Sequence, residues 1–191
     1  AFYGGSFTAI PIEKQAELLE AAAPYRKNGR INAVRLSTRP DCVSENELEF
    51  LLKYGVETIE LGVQSLDSEV LMLSGRGHTV KDCIEAAKRV KNYGFKLVLQ
   101  MMTGLPGDTN ERSIKTAKAI AELHPDGVRV YPTVVIKDTE LYRLWKENNY
   151  KPQSVDDAVD LGAKLLCIFE KAGIPVIRFG LNPSEDLSSG E

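Results

Sequence analysis

At 191 residues, 43% of them hydrophobic and 27% charged, the chain is long enough to bury one sizeable core and too short for two unrelated domains of ordinary size. A formal net charge of -3 argues against a generally basic nucleic-acid binder, while leaving room for a local basic patch. No apolar run approaches the roughly 18 residues of a membrane span, and the N-terminus lacks the basic-then-apolar layout of a signal peptide, so the expectation is a cytoplasmic protein with no membrane partner.

In chain order, "AFYGGSFTAIP" reads as the end of a strand over residues 1–4 that breaks on Gly4, Gly5 and Ser6. "IEKQAELLEAAA" has helical spacing, Asn28 and Gly29 stop it, and "RINAVRLSTRP" is the next strand, ended by Pro40. A helix begins at Ser44, with Glu47 three residues on as a capping-box partner. From there one sentence repeats: "ELEFLLKYG" leads into "VETIELGVQS", "CIEAAKRVKNYG" into "FKLVLQMMTG", "AKAIAELHPDG" into "VRVYPTVV", and "LLCIFEKAG" into "IPVIRFGLN". Each helix closes on a Gly (Gly55, Gly94, Gly127, Gly173) suited to a left-handed cap, and a β-branched run follows. Between the last two units, "KDTELYRLWKENNYKPQ" reads as a polar, aromatic-bearing helix and connector at the rim, and "SEDLSSGE" as a frayed tail.

This makes about six strands and five or six helices, with the folded domain over 1–180 and a tail over 181–191. Alternating αβ units demand parallel strands, in an open doubly wound sheet or a barrel. An open sheet concentrates its ligand groups at one switch point, whereas a barrel turns every strand's C-terminal end toward one mouth. Polar or Gly-bearing endings recur here on nearly every strand, which favours a barrel or part of one.

Several of those endings could carry chemistry. Gly4 and Gly5 either make a tight turn or bare their backbone to a ligand. Arg35, Ser37 and Arg39 share one strand face, and two guanidinium groups there need carboxylate or phosphate partners, on a ligand or within the protein, for example Glu60. Glu60, Gly62 and Gln64 fall on one face of the following strand, opposite Ile59, Leu61 and Val63. Arg76, between two glycines, could settle over an anionic group, and Gln100 is a strand amide that needs a partner. "GLPGDT" is a turn followed by a helix N-cap at Asp108 or Thr109. His78 and His124 stand far from any Cys pair, and Cys42, Cys83 and Cys167 are scattered, so no metal site can be built from these residues. Cys83 and Cys167 sit in apolar helical patterns and are expected to be buried. No GxSxG, Walker A, GxGxxG or HExxH stretch occurs, so a hydrolase or simple nucleotide binder has no support.

Taken together, "FYGGSFTAIP", "RLSTRPD", "YGVETIELGVQSLDSEVLMLSGRGHTV", "GFKLVLQMMTGLPGDT" and "VRVYPTVVIKDTELYRLWKENNY" resemble, in order and spacing, the radical SAM superfamily. The resemblance is strongest to the radical SAM domain of the Elongator catalytic subunit and its shorter bacterial relatives. It implies an α/β fold, a partial (β/α)6 TIM-like barrel lacking its first β/α unit. It further implies reductive cleavage of S-adenosylmethionine with a [4Fe-4S] cluster, giving a 5'-deoxyadenosyl radical. Gly4, Gly5 and Ser6 match the glycine-rich motif that receives the methionyl amino group, although the family's usual third residue is Glu. Gln64 and Gln100 match ribose-contacting positions, Arg76 a carboxylate-binding Arg, Glu60 and Arg39 the barrel mouth, and Tyr131 the end of the strand that helps cradle adenine.

The family's CxxxCxxC cluster loop does not occur in these residues, and thiolates are what hold the iron. The expectation is that the ligands lie upstream and that this stretch alone is inactive. Resemblance to Elongator suggests tRNA as substrate, with a flavodoxin or ferredoxin as electron donor to the intact enzyme. A porphyrinogen-oxidase-like radical SAM enzyme, sharing the "GVQS" and "GLP" type motifs, and a non-catalytic binding module on a degenerate barrel are the alternatives.

Overall fold

The computed structural model describes residues 1–181; the expected tail over "SEDLSSGE" lies outside them. Five parallel strands form one sheet: β1 (Val34–Thr38), β2 (Val56–Gln64), β3 (Lys96–Thr103), β4 (Gly127–Pro132) and β5 (Val176–Phe179), in the order β1-β2-β3-β4-β5. Strand order that follows chain order without reversal, combined with right-handed crossovers, keeps the helices on one face and leaves the other as a concave interior. This is the signature of a partial TIM-like barrel; a doubly wound sheet would reverse its order once.

Among the described residues there are seven α-helices, α1 (Ile12–Lys27), α2 (Glu45–Lys53), α3 (Ser68–Leu73), α4 (Val80–Asn92), α5 (Asn110–Glu122), α6 (Glu140–Lys146) and α7 (Val155–Lys171), of which α6 lies at the rim. Every helix after α1 has a Ser, Thr or Asp N-cap (Ser44, Asp67, Thr79, Thr109, Thr139, Ser154) whose side chain accepts from the first turn, which satisfies donors that the helix cannot. At α2 only half of the expected capping box forms, because the Glu47 carboxylate turns to accept from Gln15 Nε2 at 3.4 Å. The complete box belongs to α4, where Thr79 and Asp82 exchange bonds.

Strand alternation separates the two faces. Ile59, Leu61 and Val63 of β2, Leu97, Leu99 and Met101 of β3, and Val128 and Val130 of β4 are fully buried. Ala86, Val90, Ile120, Leu165 and Phe169 from the helices complete this core. The alternate positions, Arg35 and Ser37, Glu60 and Gly62, Gln100 and Met102, Arg129 and Tyr131, line the concave side.

Three expectations need correction. Residues 1–4 contribute one parallel bridge, Phe2 to Leu36, rather than a strand, because Gly4 (φ +100°) turns the chain away after two backbone bonds to β1. Gly127 is not a helix cap: it is the first residue of β4, where a Cβ would lie 2.6 Å from Ile177 Cδ1, and His124 (φ +47°) takes the left-handed position instead. Cys83 is buried as expected, but Cys167 is exposed, on the outer side of α7.

Candidate functional site

The C-terminal ends of the strands frame a cleft of about 420 Å³. Gly5, Ser6, Arg39, Gln64, Arg76 and Gln100, brought from five separate stretches of sequence, all line it. Gly4, Glu60 and Tyr131 do not. A pocket of equal volume around Asp41, Ser44, Asp82 and Arg89 lies among the α2 and α4 N-termini, off the strand ends.

Glu60 shows why the face reading was incomplete. Its side chain is 2% exposed and ion-paired to two arginines, Arg35 and Arg129, the latter through Nε at 2.9 Å, close but poorly aligned for a hydrogen bond. Tyr3 donates its hydroxyl to the same carboxylate at 2.5 Å and lies under the Arg129 guanidinium, 5.7 Å from the ring centre. Burial pushes the Tyr3 phenol up, and the Glu60 carboxylate adds to that shift. Glu60 thus belongs to a closed charge network inside the barrel. Arg129 was not singled out in the sequence; its signal was a cation alternating with Val128 and Val130 in an otherwise apolar strand.

At the mouth, Arg39 and Arg76 differ in a way that decides which is available. Arg39 is held by Asp41 through Nε at 2.9 Å and Nη2 at 2.5 Å, and that pairing holds the Asp41 carboxyl below its ordinary range. Arg76 is paired with no carboxylate among the described residues. Its Nη2 reaches the Met102 sulfur at 3.1 Å, its Nε is buried without a partner, and burial lowers its pKa. A desolvated guanidinium facing only a thioether is costly in the absence of an anion. Opposite it, Gln100 Nε2 donates to Gln64 Oε1 at 3.4 Å. Gln64 departs from simple alternation: β2 has a register irregularity between Gly62 and Gln64, Gln64 has φ +65°, and its amide folds over Gly62 so closely that a Cβ there would lie 2.7 Å from Nε2. Across the cleft, Ser37 Oγ donates to the Gly5 carbonyl at 3.5 Å, and a Cβ built at Gly5 would meet nothing.

Beyond Arg76 the cleft continues into a more apolar groove of about 670 Å³ between Met102, Leu105, Pro106 and α6, with the buried Thr133 hydroxyl on its wall lacking a partner. The Gly104 loop beside it is tied down by Tyr150, whose hydroxyl donates to the Gly104 carbonyl at 2.6 Å, and by Thr103 bonding Gln153 at 3.2 Å. The connector after α6 therefore straps the rim. Thr109, rather than Asp108, caps α5; Asp108 instead accepts from Gly104 N and Ser113, and burial raises its pKa. Among the described residues no three His, Cys, Asp or Glu side chains are grouped to hold a metal ion. No helix there is long and apolar enough to cross a membrane.

Comparison with known proteins places the chain in one family. The chain is 38% identical over 154 residues to the tRNA uridine(34) acetyltransferase of Methanocaldococcus infernus, covering 78% of this chain and 29% of that protein. It is 41% identical over 185 residues to Elongator complex protein 3 of Saccharomyces cerevisiae, covering 86% and 33%. The chain thus spans about a third of the length of these curated relatives. Among solved structures, an N-terminally deleted Elp3 from M. infernus superposes with a TM-score of 0.78 at 33% identity, over 96% of this chain and 47% of that one. Coproporphyrinogen III oxidase of Escherichia coli, a radical SAM enzyme, superposes at 0.71 with 20% identity, over 89% and 39%, a likeness of fold. The family profile described as Radical SAM C-terminal domain matches residues 125–191. The profile described as Radical SAM superfamily matches residues 1–120, and the chain belongs to that superfamily.

Proposed function

We propose that the strand-end cleft binds S-adenosylmethionine and that the protein carrying it modifies tRNA. The observation that supports this most directly is Arg76, a desolvated guanidinium without a carboxylate among the described residues, on the wall of a cleft whose opposite side is the Gln64–Gln100 amide pair. Arg76 would hold the methionyl carboxylate, forming the charge-assisted bonds that the free protein lacks. The bare backbone at Gly4 to Ser6 would accept from the amino group, and Gln64 and Gln100 would hold the ribose hydroxyls. Arg39 would neutralise the rim while tethered to Asp41, and Tyr131, at the end of β4, would help border the adenine side. Glu60, sealed by Arg35 and Arg129, would stiffen the barrel beneath the ligand.

When bound, S-adenosylmethionine supplies the hydrogen-abstracting chemistry of the superfamily on reductive cleavage, with a flavodoxin or ferredoxin as electron source. The described residues do not fit a [4Fe-4S] cluster: buried Cys83, half-buried Cys42 and exposed Cys167 do not converge. Cluster ligands would therefore come from other parts of the protein, and these residues alone would not turn over. The tRNA reading rests on the relatives named for tRNA uridine(34), which outweigh the fold-level likeness to coproporphyrinogen oxidase.

The test is calorimetric titration of the full-length gene product with S-adenosylmethionine, comparing wild type with Arg76→Met. Loss of a charged hydrogen-bond pair predicts at least a tenfold weakening, from about 1.5–3 kcal/mol. Equal affinities would remove Arg76, and with it the orientation proposed for the ligand.

A further inference from the structure

Gln64 reaches the cleft only because the backbone there is held in an unfavourable shape. Ser65 N donates to Val63 O at 2.8 Å across a single residue, and that residue, Gln64, has φ +65°. A three-residue turn with positive φ at its centre is the rarer and more strained of the two forms, and a residue with a Cβ adopts it only when its surroundings impose it. On the far side the chain is anchored: Leu66 N and Ser65 Oγ both bond the Thr116 hydroxyl, at 3.1 and 3.3 Å. On the near side the Val63 carbonyl has a second partner, His78 Nε2 at 3.1 Å.

His78 is 6% exposed and follows the Gly75–Arg76–Gly77 loop, both of whose glycines have positive φ. Its next residue, Thr79, is locked into the capping box of α4. A carbonyl only accepts, so in this contact Nε2 carries a proton. The other nitrogen, Nδ1, is buried with no partner. Leaving a buried ring nitrogen unsatisfied is unfavourable, and the contact that retains the ring here is the Nε2–H bond to the strained turn.

We propose that His78 is a positioning residue for the cleft: by donating to the Val63 carbonyl it holds the strained turn that aims Gln64, and couples that turn to the Arg76 loop. The role of the turn in the protein is structural; its consequence for a nucleoside ligand rests on the reading given under Proposed function.

Two measurements on the full-length gene product separate these levels. Nitrogen-15 spectra of the imidazole should show a proton on Nε2, and the Ser65 amide should exchange with solvent at least tenfold faster in His78→Phe than in wild type. His78→Gln, whose amide nitrogen can replace Nε2, should restore most of the protection. An Nδ1–H tautomer, or unchanged Ser65 exchange in a folded His78→Phe, would overturn the proposal; if His78→Phe does not fold, the tautomer and the His78→Gln exchange decide it.

The second measurement is binding of 5'-methylthioadenosine, which carries ribose and adenine but no carboxylate. His78→Phe should weaken it about tenfold, His78→Gln much less, and His78→Phe should add little on a Gln64→Ala background, because both act through one amide. Fully additive losses would overturn the coupling. If wild type fails to bind this probe and S-adenosylmethionine alike, the ligand reading falls while the exchange result still decides the role of His78.

Discussion

Replacing Glu60 with Gln, a change of charge at nearly constant size, should be strongly destabilising. The carboxylate is 2% exposed and serves two guanidinium groups and one phenol. Gln keeps the volume and can accept one hydrogen bond, but it leaves two cations facing each other without an anion. The side chain of Arg129 is only 14% exposed and cannot turn to water, whereas Arg35, at 32%, can recover part of its hydration. Removing one partner of a buried pair costs about 3–5 kcal/mol, and the partial exposure of Arg35 puts this case at about 3 kcal/mol. For a chain of this size, with a urea dependence near 2–3 kcal/mol per M, the unfolding midpoint should fall by about 1 M. Tyr3→Phe, which removes a single hydrogen bond from a half-exposed phenol, should lose only about 1 kcal/mol. The assay is equilibrium unfolding in urea followed by circular dichroism. A Glu60→Gln midpoint within about 0.2 M of wild type would refute the reasoning, since it would mean the network is solvated rather than desolvated.

Three further outcomes follow from named side chains. Arg76→Met should leave the ligand-free protein as stable as wild type or more so by up to about 1 kcal/mol, because it removes a desolvated cation without a counter-charge; thermal unfolding without ligand measures this, and a clear loss of stability would reveal a missed partner. Burial pushes the Cys83 thiol up to about 12, so at pH 8 Ellman's reagent should label exposed Cys167 promptly and Cys83 only once the protein is unfolded. The Thr79 hydroxyl and backbone N–H hold the Asp82 carboxyl below its ordinary range. That stabilisation is complete above the unfolded value of about 3.9 and is lost as pH falls through the lower folded value. The deficit of Asp82→Asn in urea midpoint should accordingly be present at pH 7 and shrink as pH falls below the unfolded value of about 3.9, and a pH-independent deficit would show that the charge is not what matters.

Much of the architecture was legible because it is written in short windows. Helical spacing in "CIEAAKRVKNYG", the β-branched runs after it, and Thr79 followed by Asp82 each specify an element from neighbours a few residues apart, and α4 and β3 form where those windows say. Gly55, Gly94 and Gly173 all have the positive φ that their place after a helix suggests. Gly127 fails for a reason outside any window: Ile177, fifty residues on, fills the space where its side chain would be. Exposed Cys167 fails likewise, since an apolar helix position does not reveal which neighbour covers it.

The site divides along the same line. That Gly5, Arg39, Gln64, Arg76 and Gln100 would serve one site was implied by the family resemblance, and they do line one cleft. Their chemical states followed only in part: the Arg35–Glu60 pair was legible in the sequence, and the rest was not. Asp41 occupies Arg39, Arg129 joins Arg35 around Glu60, and Arg76 makes no ion pair with a carboxylate among the described residues. The strained turn at Gln64 is met by His78, fourteen residues later, which reaches back to the Val63 carbonyl, and by Thr116 on its other side. Local spacing determined which elements form and in what order, because periodicity and capping act within one or two turns of chain. Tertiary structure alone decided that Arg129 joins Arg35 on Glu60, that Asp41 takes Arg39 and that Arg76 faces the cleft without a carboxylate among the described residues, because desolvation and pairing depend on strand register and on partners that the sequence places tens of residues apart.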